Sequence, residues 1–215
     1  MAAGSGRRFG EQKQFKQLKG VALYYYSLRQ FLMCKEIYEI ILVVPQDRLN
    51  KTQNELTNIK TTKKIIVTAG GKKRQESVKK GILRTSNITE LVCIHDGARP
   101  FVSEDLIKNS IDPCFNNDGA IIALPNYDTL KVCVEGYIKK TIDRKNTWRA
   151  QTPQTFWKMK LLDAFEYVEK NELCFADEAS IMEAFGFQIS VVYGHYNNFK
   201  ITSPIDWQRA EEITL

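Results

Sequence analysis

Short apolar runs alternate with helical patterns along this chain of 215 residues. Each run is rich in β-branched residues and stops at a glycine, a proline or an Asp-Gly pair, which is typical of buried strands that end in turns. Five runs predict strands, at residues 37–44, 64–68, 91–95, 119–124 and 188–193.

Helical patterns fill most of the intervals between these runs. They predict helices at residues 23–34, 75–83, 103–114, 157–171 and 177–185, and a last helix that begins near 203. Ser103, before two acids, and Ser203, before Pro204 and with Asp206 at the third helical position, are good helix starts. Strand, loop and helix in repetition predict an α/β fold: a doubly wound, mostly parallel sheet in a single domain, 1–215.

One segment breaks this rhythm. Residues 131–141 form two short alternating strands about a Glu135-Gly136 turn, which predicts a β-hairpin. Polar residues flank the hairpin on both sides. We therefore expect residues 126–147 to form a protruding arm that reaches over a site or onto a second subunit.

Composition narrows the classes of protein. No stretch reaches the roughly 18 apolar residues of a membrane span, and no signal peptide is visible. The five cysteines are dispersed, which favours reduced thiols in the cytoplasm, or in a reducing organelle, over a zinc site. The net charge of +6 is compatible with a lysine-rich surface or with an anionic partner. Because several cations adjoin glycine-rich loops, phosphates in a pocket are favoured over a nucleic acid.

The first candidate site is the loop Ala2-Ala3-Gly4-Ser5-Gly6-Arg7-Arg8. Its glycines permit positive φ, so that successive N–H groups can hold an anion, and Arg8 and Lys13 add cations. A third glycine and a Gly-Lys-Ser/Thr sequence are both missing, which excludes the dinucleotide fingerprint and the Walker A loop. Such a loop normally follows a strand of about five residues. Only Met1 precedes it, so we expect the first strand to be missing here and Met1 to be internal to a longer protein.

Two further candidates follow predicted strands. Residues 70–78 place a diglycine before a helix, so that a flat base could lie on the backbone beside Ser77. Residues 95–101, His-Asp-Gly-Ala-Arg-Pro-Phe, place Asp96 and Arg99 where open α/β sheets bind ligands. Asp96 could orient a metal–triphosphate or a hydroxyl and Arg99 a phosphate, although an internal Asp–Arg pair is the alternative. His95 is expected to be a packed strand residue rather than a base.

The remaining polar segments are weaker signals by residue type alone. We favour the interpretation that three of them are ordinary exposed polar segments: Asp128-Thr129-Leu130-Lys131, Thr141-Ile142-Asp143-Arg144 and residues 151–156, Gln-Thr-Pro-Gln-Thr-Phe. The segments Asp177-Glu178-Ala179-Ser180 and 198–202 can be a helix start and an edge strand, although Lys200 could reach into a site.

In their order along the chain, these segments resemble the 2-C-methyl-D-erythritol 4-phosphate cytidylyltransferase family. The resemblance runs from residue 2 to residue 202, and the segments from His95, Gln151 and Asp177 are its most specific parts. It implies a Rossmann-like nucleotidyltransferase domain and a homodimer that exchanges its β-arms. It also implies the transfer of a cytidylyl group from CTP to a sugar-alcohol phosphate, without a nucleic acid or a membrane as partner.

The resemblance also implies roles for individual residues. Arg8, Lys13 and Lys200 would be catalytic, and Mg²⁺ would be held mainly by the CTP phosphates rather than by a protein metal site. The nucleotide would be bound by Ala2, Ala3, Gly4, Gly6, Gly71, Ser77 and Asp96. The sugar phosphate would be bound by Asp96, Arg99, Thr129, Arg144, Thr152 and Lys200. If the source is eukaryotic, the compartment would be a plastid-type organelle.

The chain departs from the family pattern at three places. Gln12 replaces a proline and the loop before Lys13 is about two residues shorter, Ala176 replaces a threonine, and the strand before the first loop is missing. The alternatives that stay open are a ribitol 5-phosphate cytidylyltransferase, an inactive truncated paralogue and a basic nucleic-acid binder.

Overall fold

The computed structural model describes residues 1–4 and 11–214, in a mixed arrangement of strands and helices. The strands are β1 (Gln17–Leu18), β2 (Val21–Ala22), β3 (Glu39–Val44), β4 (Lys64–Ala69), β5 (Leu91–Ile94), β6 (Gly119–Pro125), β7 (Leu130–Val134), β8 (Tyr137–Ile142), β9 (Trp148–Trp157) and β10 (Ile189–Tyr193). The helices are α1 (Leu23–Met33), α2 (Leu49–Leu56), α3 (Arg74–Ile82), α4 (Glu104–Ile111), α5 (Lys158–Lys170), α6 (Glu178–Ala184) and α7 (Pro204–Ile213).

The central strands form two groups. One has the order β10-β6-β9-β5, with β10 parallel to β6 and with β9 antiparallel to both β6 and β5. The other is the parallel pair β3-β4. Strands β5, β6 and β10 therefore run in one direction, and the α/β class with a mostly parallel sheet is confirmed.

The first two residues lie between these two groups. The backbone nitrogen of Ala2 donates to the oxygen of Val43 in β3, while the nitrogen of Met1 donates to the oxygen of His95 just after β5, each at 2.7 Å. The oxygen of Met1 also accepts from Gly97 at 2.7 Å. Residues 1–2 thus connect β3 to β5 in the manner of a strand. A longer strand before the glycine-rich loop stays a prediction.

Strand β9 is the main element that the hydrophobic pattern does not predict. Its residues 151–156 are all buried, so the expectation of surface polarity was wrong for this segment. Proline is disfavoured inside a sheet because it cannot donate to the ladder. Pro153 is tolerated because the register between β9 and β6 shifts opposite Ile122, between Ile121 and Ala123.

The predicted helices form with small differences at their ends. The helix expected at 103–114 is α4 followed by a 3-10 turn at Asp112–Phe115, because Pro113 cannot continue an α-helical ladder. Ser103 caps α4, and Ser203 and Asp206 form a capping box on α7, as the sequence predicts. Helix α2 and the small hairpin β1–β2 were not predicted.

None of the helices in the described part of the chain is long and apolar enough to cross a membrane.

The predicted hairpin is present as β7 and β8. Glu135 and Gly136 both have positive φ, 50° and 82°, which is the backbone of the tightest two-residue hairpin turns. All six residues of β8 are exposed, including Tyr137 and Ile138. The arm therefore presents apolar side chains to solvent, while buried Asn126 secures its base by a 2.8 Å backbone bond to Thr147.

Phe156 tests the packing of β9. Its ring is fully buried in the core with Leu161 and Phe165, so Phe156→Ala should lower the free energy of unfolding by about 3–5 kcal/mol. Phe115→Ala is the matched control, because that ring is 68% exposed and its loss should cost less than about 0.5 kcal/mol. Urea denaturation compares the two variants, and equal losses would contradict the burial of β9.

Candidate functional site

The described part of the first glycine-rich segment, up to Gly4, lies against two other loops. Gln14 holds it, since its side-chain amide donates to the oxygens of Ala2 and Gly4 at 2.8 and 2.6 Å. A Cβ placed on Gly70 would lie 2.6 Å from the Cβ of Ala3, which shows how closely these two backbones approach. Lys13 is buried in the 3-10 turn Lys13–Phe15, next to this anchor. Gly6 and Arg8 lie outside the described residues.

The diglycine loop joins β4 to α3. The hydroxyl of Ser77 accepts from the backbone nitrogen of Gly71 at 2.9 Å and donates to the oxygen of Lys73 at 3.0 Å. Ser77 is buried, so it fixes the turn that presents Gly71. Gly71, in the loop, and Ser77, in the first turn of α3, are both predicted to contact the base and are therefore neighbours, close to Ala3.

Asp96 is the centre of charge in the site. It follows β5, and its two carboxylate oxygens meet different cations: Lys200 Nζ lies 2.7 Å from Oδ2, and Arg74 Nη2 lies 3.4 Å from Oδ1. Burial favours the neutral acid, but Lys200 and Arg74 outweigh it and hold the pKa of Asp96 well below its usual value. Asp96 is therefore a buried carboxylate that stays ionised.

Arg74 has a second and closer carboxylate partner in Glu178. Its Nη1 atom lies 2.5 and 2.7 Å from the two carboxylate oxygens of this residue, which is fully buried. Burial opposes the charge of Arg74, yet Glu178 and Asp96 together raise its pKa above the usual value. Four residues from four separate segments therefore form a line of charges in space: Glu178, Arg74, Asp96 and Lys200.

Arg99 is buried without a carboxylate partner. Its guanidinium donates to the backbone oxygens of Asn198 and Ala150 at 2.8 and 3.3 Å, and its Nε atom has no partner among the described residues. No carboxylate in the described ranges forms an ion pair with it, so the alternative of an internal pair with Asp96 was wrong. Burial lowers the pKa of Arg99, and the charge of nearby Asp96 offsets this only in part.

Thr152 links β9 to the loop after β5. Its hydroxyl accepts from the backbone nitrogen of Asp96 at 3.1 Å and lies 3.0 Å from His95 Nδ1. The other ring nitrogen of His95 lies 3.0 Å from the oxygen of Arg99, which can only accept, so Nε2 carries the proton. Burial lowers the pKa of His95 to about 3, so the ring is neutral and packed, as expected.

Gln154, also in β9, connects this strand to the start of α6. Its amide donates to Asp177 Oδ2 at 2.9 Å and accepts from the backbone nitrogen of Ala179 at 3.3 Å. Asp177 in turn caps α6 through the nitrogen of Ser180. The segments 151–156 and 177–180 are therefore in direct contact, and together they fix Glu178, the residue after the cap.

Two predicted substrate ligands make no hydrogen bond to this centre in the described part of the chain. Thr129 and Arg144 are exposed at the base of the arm, where Arg144 donates to the oxygen of Tyr127 at 2.7 Å. Within residues 1–4 and 11–214, no hydrogen bond joins either of them to Asp96 or Lys200. Their predicted role therefore needs a ligand, or a second subunit, that connects them to this centre.

Three residues of the site were not assigned from the sequence: Arg74, Glu178 and Asn198. Asn198 is fully buried, donates to the oxygen of Thr152 at 2.8 Å and leaves its own Oδ1 without a partner. It lies in a loop rather than in an edge strand, so that alternative for 198–202 was wrong. The signal in the sequence was its place, two residues before Lys200.

Two other features do not belong to this site. A groove of about 520 Å³ lies between β3 and β5, but its lining is mostly apolar and includes none of the four linked charges. The possible metal-binding group found in the described part of the chain, Cys34 with Glu36 and Glu104, is also formed by other residues. Neither changes the prediction of a phosphate site at Asp96 and Arg99.

The neutral state of His95 predicts a pH dependence of stability. The unfolded chain binds a proton near pH 6.5, whereas the folded ring does not until about pH 3. The contribution of the neutral ring to the free energy of unfolding is fully present above pH 6.5. It decreases by about 1.4 kcal/mol per pH unit as the pH falls below that value. His95→Gln should therefore flatten the dependence of the urea midpoint on pH between pH 6.5 and 4.

The chain's other histidine provides the control. His195 is exposed, and His195→Gln should keep the slope of the original protein. An unchanged slope in His95→Gln would contradict the assignment of a neutral, buried ring.

Comparison with known proteins agrees with this geometry. A sequence profile of the family described as 2-C-methyl-D-erythritol 4-phosphate cytidylyltransferase matches residues 1–215. A relative of that name from Clostridioides difficile is 35% identical over 99% of this chain and 91% of its own length. Another from Aquifex aeolicus is 37% identical, covering 99% of this chain and 94% of its own.

Solved structures give the same result. The 4-diphosphocytidyl-2C-methyl-D-erythritol synthase of Anaerococcus prevotii superposes with a TM-score of 0.87 at 30% identity, covering 99% of this chain and 94% of the other. The 2-C-methyl-D-erythritol 4-phosphate cytidylyltransferase of Thermus thermophilus gives a TM-score of 0.80 at 29% identity, with 99% and 95% covered. The chain belongs to the 2-C-methyl-D-erythritol 4-phosphate cytidylyltransferase family.

Proposed function

We propose that this protein transfers a cytidylyl group from CTP to 2-C-methyl-D-erythritol 4-phosphate and releases pyrophosphate, a step in the synthesis of isoprenoid precursors. Membership of the family supports the reaction. In the structure the proposal rests mainly on Arg99, whose buried guanidinium has no carboxylate partner in the described ranges and one N–H donor without an acceptor. A cation buried in this way favours an anionic ligand.

The chemistry needs no covalent enzyme intermediate. A phosphate oxygen of the sugar substrate forms a bond to the α-phosphorus of CTP, while the bond from that phosphorus to the pyrophosphate oxygen breaks. Lys13 and Arg8 neutralise charge on the triphosphate, Gly71 and Ser77 position the cytosine, and Arg99, Thr152 and Lys200 position the sugar phosphate. Such catalysis consists of orientation and electrostatic stabilisation.

Mg²⁺ is proposed as the cofactor, carried mainly by the CTP phosphates. Asp96 is the carboxylate best placed to meet it, and a single carboxylate together with substrate phosphates is a common environment for this ion. When bound, Mg²⁺ would neutralise charge on the triphosphate. The residues described here fit that arrangement, because Asp96 is ionised and lies between the nucleotide loops and Lys200.

The direct test measures pyrophosphate release from CTP and Mg²⁺ with each sugar phosphate. Turnover with methylerythritol phosphate supports the proposal. Turnover only with ribitol 5-phosphate would show that this compound is the substrate instead. No turnover with either sugar phosphate would favour an inactive paralogue. Salt-sensitive binding of random duplexes without pyrophosphate release would instead indicate a nucleic-acid binder.

We propose further that the protein is a homodimer joined through the arm of residues 126–147, with Thr129 and Arg144 reaching the substrate in the partner subunit. The exposed apolar side chains of β8 support this. The absence of a membrane-spanning helix among the described residues and the dispersed cysteines are compatible with a cytoplasmic protein, or with a plastid-type organelle if the source is eukaryotic.

Lys13 and Arg8 are predicted to stabilise the transferring charge. Lys13→Ala and Arg8→Ala should each lower kcat by about 10²-fold or more, because removal of one preorganised electrostatic contact typically has this effect. Steady-state pyrophosphate release is the measurement. Lys60→Ala, an exposed lysine elsewhere, is the control, and rates near those of the original protein in both site variants would refute these roles.

The arm is tested by a charge placed on its apolar face. Ile138→Lys should convert the dimer to a monomer in sedimentation experiments, because a buried unpaired ammonium is costly at an interface. Ile88 is similarly exposed, 70% against 63% for Ile138, but lies outside the arm. Ile88→Lys should therefore stay dimeric, and an equal response of the two variants would contradict an interface at the arm.

A further inference from the structure

Two members of the line of charges have no role in the transfer as proposed. Asp96 and Lys200 are assigned to the substrates, whereas Arg74 and Glu178 are not. Yet the contacts are continuous: Glu178 to Arg74 at 2.5 Å, Arg74 to Asp96 at 3.4 Å and Lys200 to Asp96 at 2.7 Å. A change at Glu178 therefore affects Asp96, a residue assigned to the substrates, through the side chain of Arg74.

Glu178 is a fixed point in this line. It is fully buried, and its backbone is held where Asp177 and Gln154 secure the start of α6. A buried carboxylate cannot leave its partner without the cost of an unpaired charge. Its position therefore determines that of the guanidinium it binds.

Arg74 is the less buried member of this pair. It is half-buried, follows the diglycine loop directly and carries a long side chain with several N–H donors. Because both Glu178 oxygens bind its Nη1, only Nη2 reaches Asp96, and it does so at Oδ1. Oδ2 is thereby left to Lys200. A released Arg74 would instead be able to bind both Asp96 oxygens and to displace Lys200.

We propose that Glu178 is a positioning residue: by holding Arg74 to one oxygen of Asp96, it keeps the other oxygen for the ammonium of Lys200. This assignment deepens the proposed function and rests on it, because Lys200 and Asp96 are taken to meet the sugar phosphate. Glu178 is not among the residues assigned to the substrates, and it acts through Arg74.

The experiment compares the original protein with Glu178→Gln, which keeps the size of the side chain and removes its charge. We expect kcat/KM for methylerythritol phosphate to fall by about 10-fold or more, with the KM for CTP changed by less than about 3-fold. The NMR signal of the Lys200 ammonium, visible when a hydrogen bond slows its exchange with water, should disappear.

The matched control is Asp118→Asn. It removes a carboxylate that lies 2.5 Å from Lys160, at an ion pair outside the line of charges. Its kinetic constants and its Lys200 signal should equal those of the original protein. Original kinetics and an intact Lys200 signal in Glu178→Gln would overturn the proposal.

A double variant separates positioning from a purely structural role. Arg74→Met with Glu178→Leu replaces the buried pair by apolar side chains, which commonly preserves stability. We expect a urea midpoint near that of the original protein, a kcat/KM above that of Glu178→Gln and a Lys200 signal that is retained, because no guanidinium remains to displace Lys200 from Asp96. Loss of the Lys200 signal in this folded double variant would contradict displacement by Arg74 and would overturn the proposal.

The readouts also separate this proposal from the function it rests on. Absence of pyrophosphate release by the original protein would refute the proposed function. The Lys200 signal in the original protein and in Glu178→Gln needs no turnover, so it decides the positioning role alone: loss in the variant supports it, and persistence overturns it.

Discussion

The burial of one ionised carboxylate determines how this site is built. Asp96 lies beyond the end of β5, where the bonds around it leave little access to water, and a buried charge is tolerated only when it is paired and hydrogen-bonded. Its two cations come from the start of α3 and from the loop after β10. The loops around the sheet must therefore converge on this point, and in doing so they bring Asp96 into contact with Arg74 and Lys200.

The polar strand β9 makes that convergence possible. Thr152 accepts from the backbone of Asp96, Gln154 binds the start of α6 and Thr155 lies 2.8 Å from the hydroxyl of Ser110. Each side chain is buried with a partner, so the usual penalty for buried polar groups is avoided. The strand acts as a rigid polar support that sets the distance between the loop at Asp96 and Glu178.

The contrast between β9 and the apolar strands shows why some elements could be predicted from the sequence and others could not. Apolar runs such as β3 and β6 carry their own signal, and the serine caps mark helix starts locally, so these were found within a few residues. In β9, proline and alternating glutamine and threonine are typical of a loop. What makes it a strand is a set of tertiary hydrogen bonds to segments far away in the sequence.

The same distinction applies to the candidate site. The roles predicted for Asp96, Arg99 and Lys200 came from segments that resemble the family, and the structure places Asp96 and Lys200 in contact. Arg74 and Glu178 are strongly paired but come from a basic loop and a helix start, where charged residues are ordinary. Their pairing depends on the packing of α3 against the sheet and of α6 against β9, which local patterns do not contain.

The sequence distance across the line of charges has a consequence for folding. The bonds from Arg74 to Glu178 and from Lys200 to Asp96 each join residues 104 positions apart. Contacts of such long range form slowly, because the loop-closure entropy is lost before the contact is gained. During synthesis, Arg74 and Asp96 emerge well before their partners. Until residues 178–200 have docked, the growing chain holds these two charges only partly compensated and keeps them in contact with water.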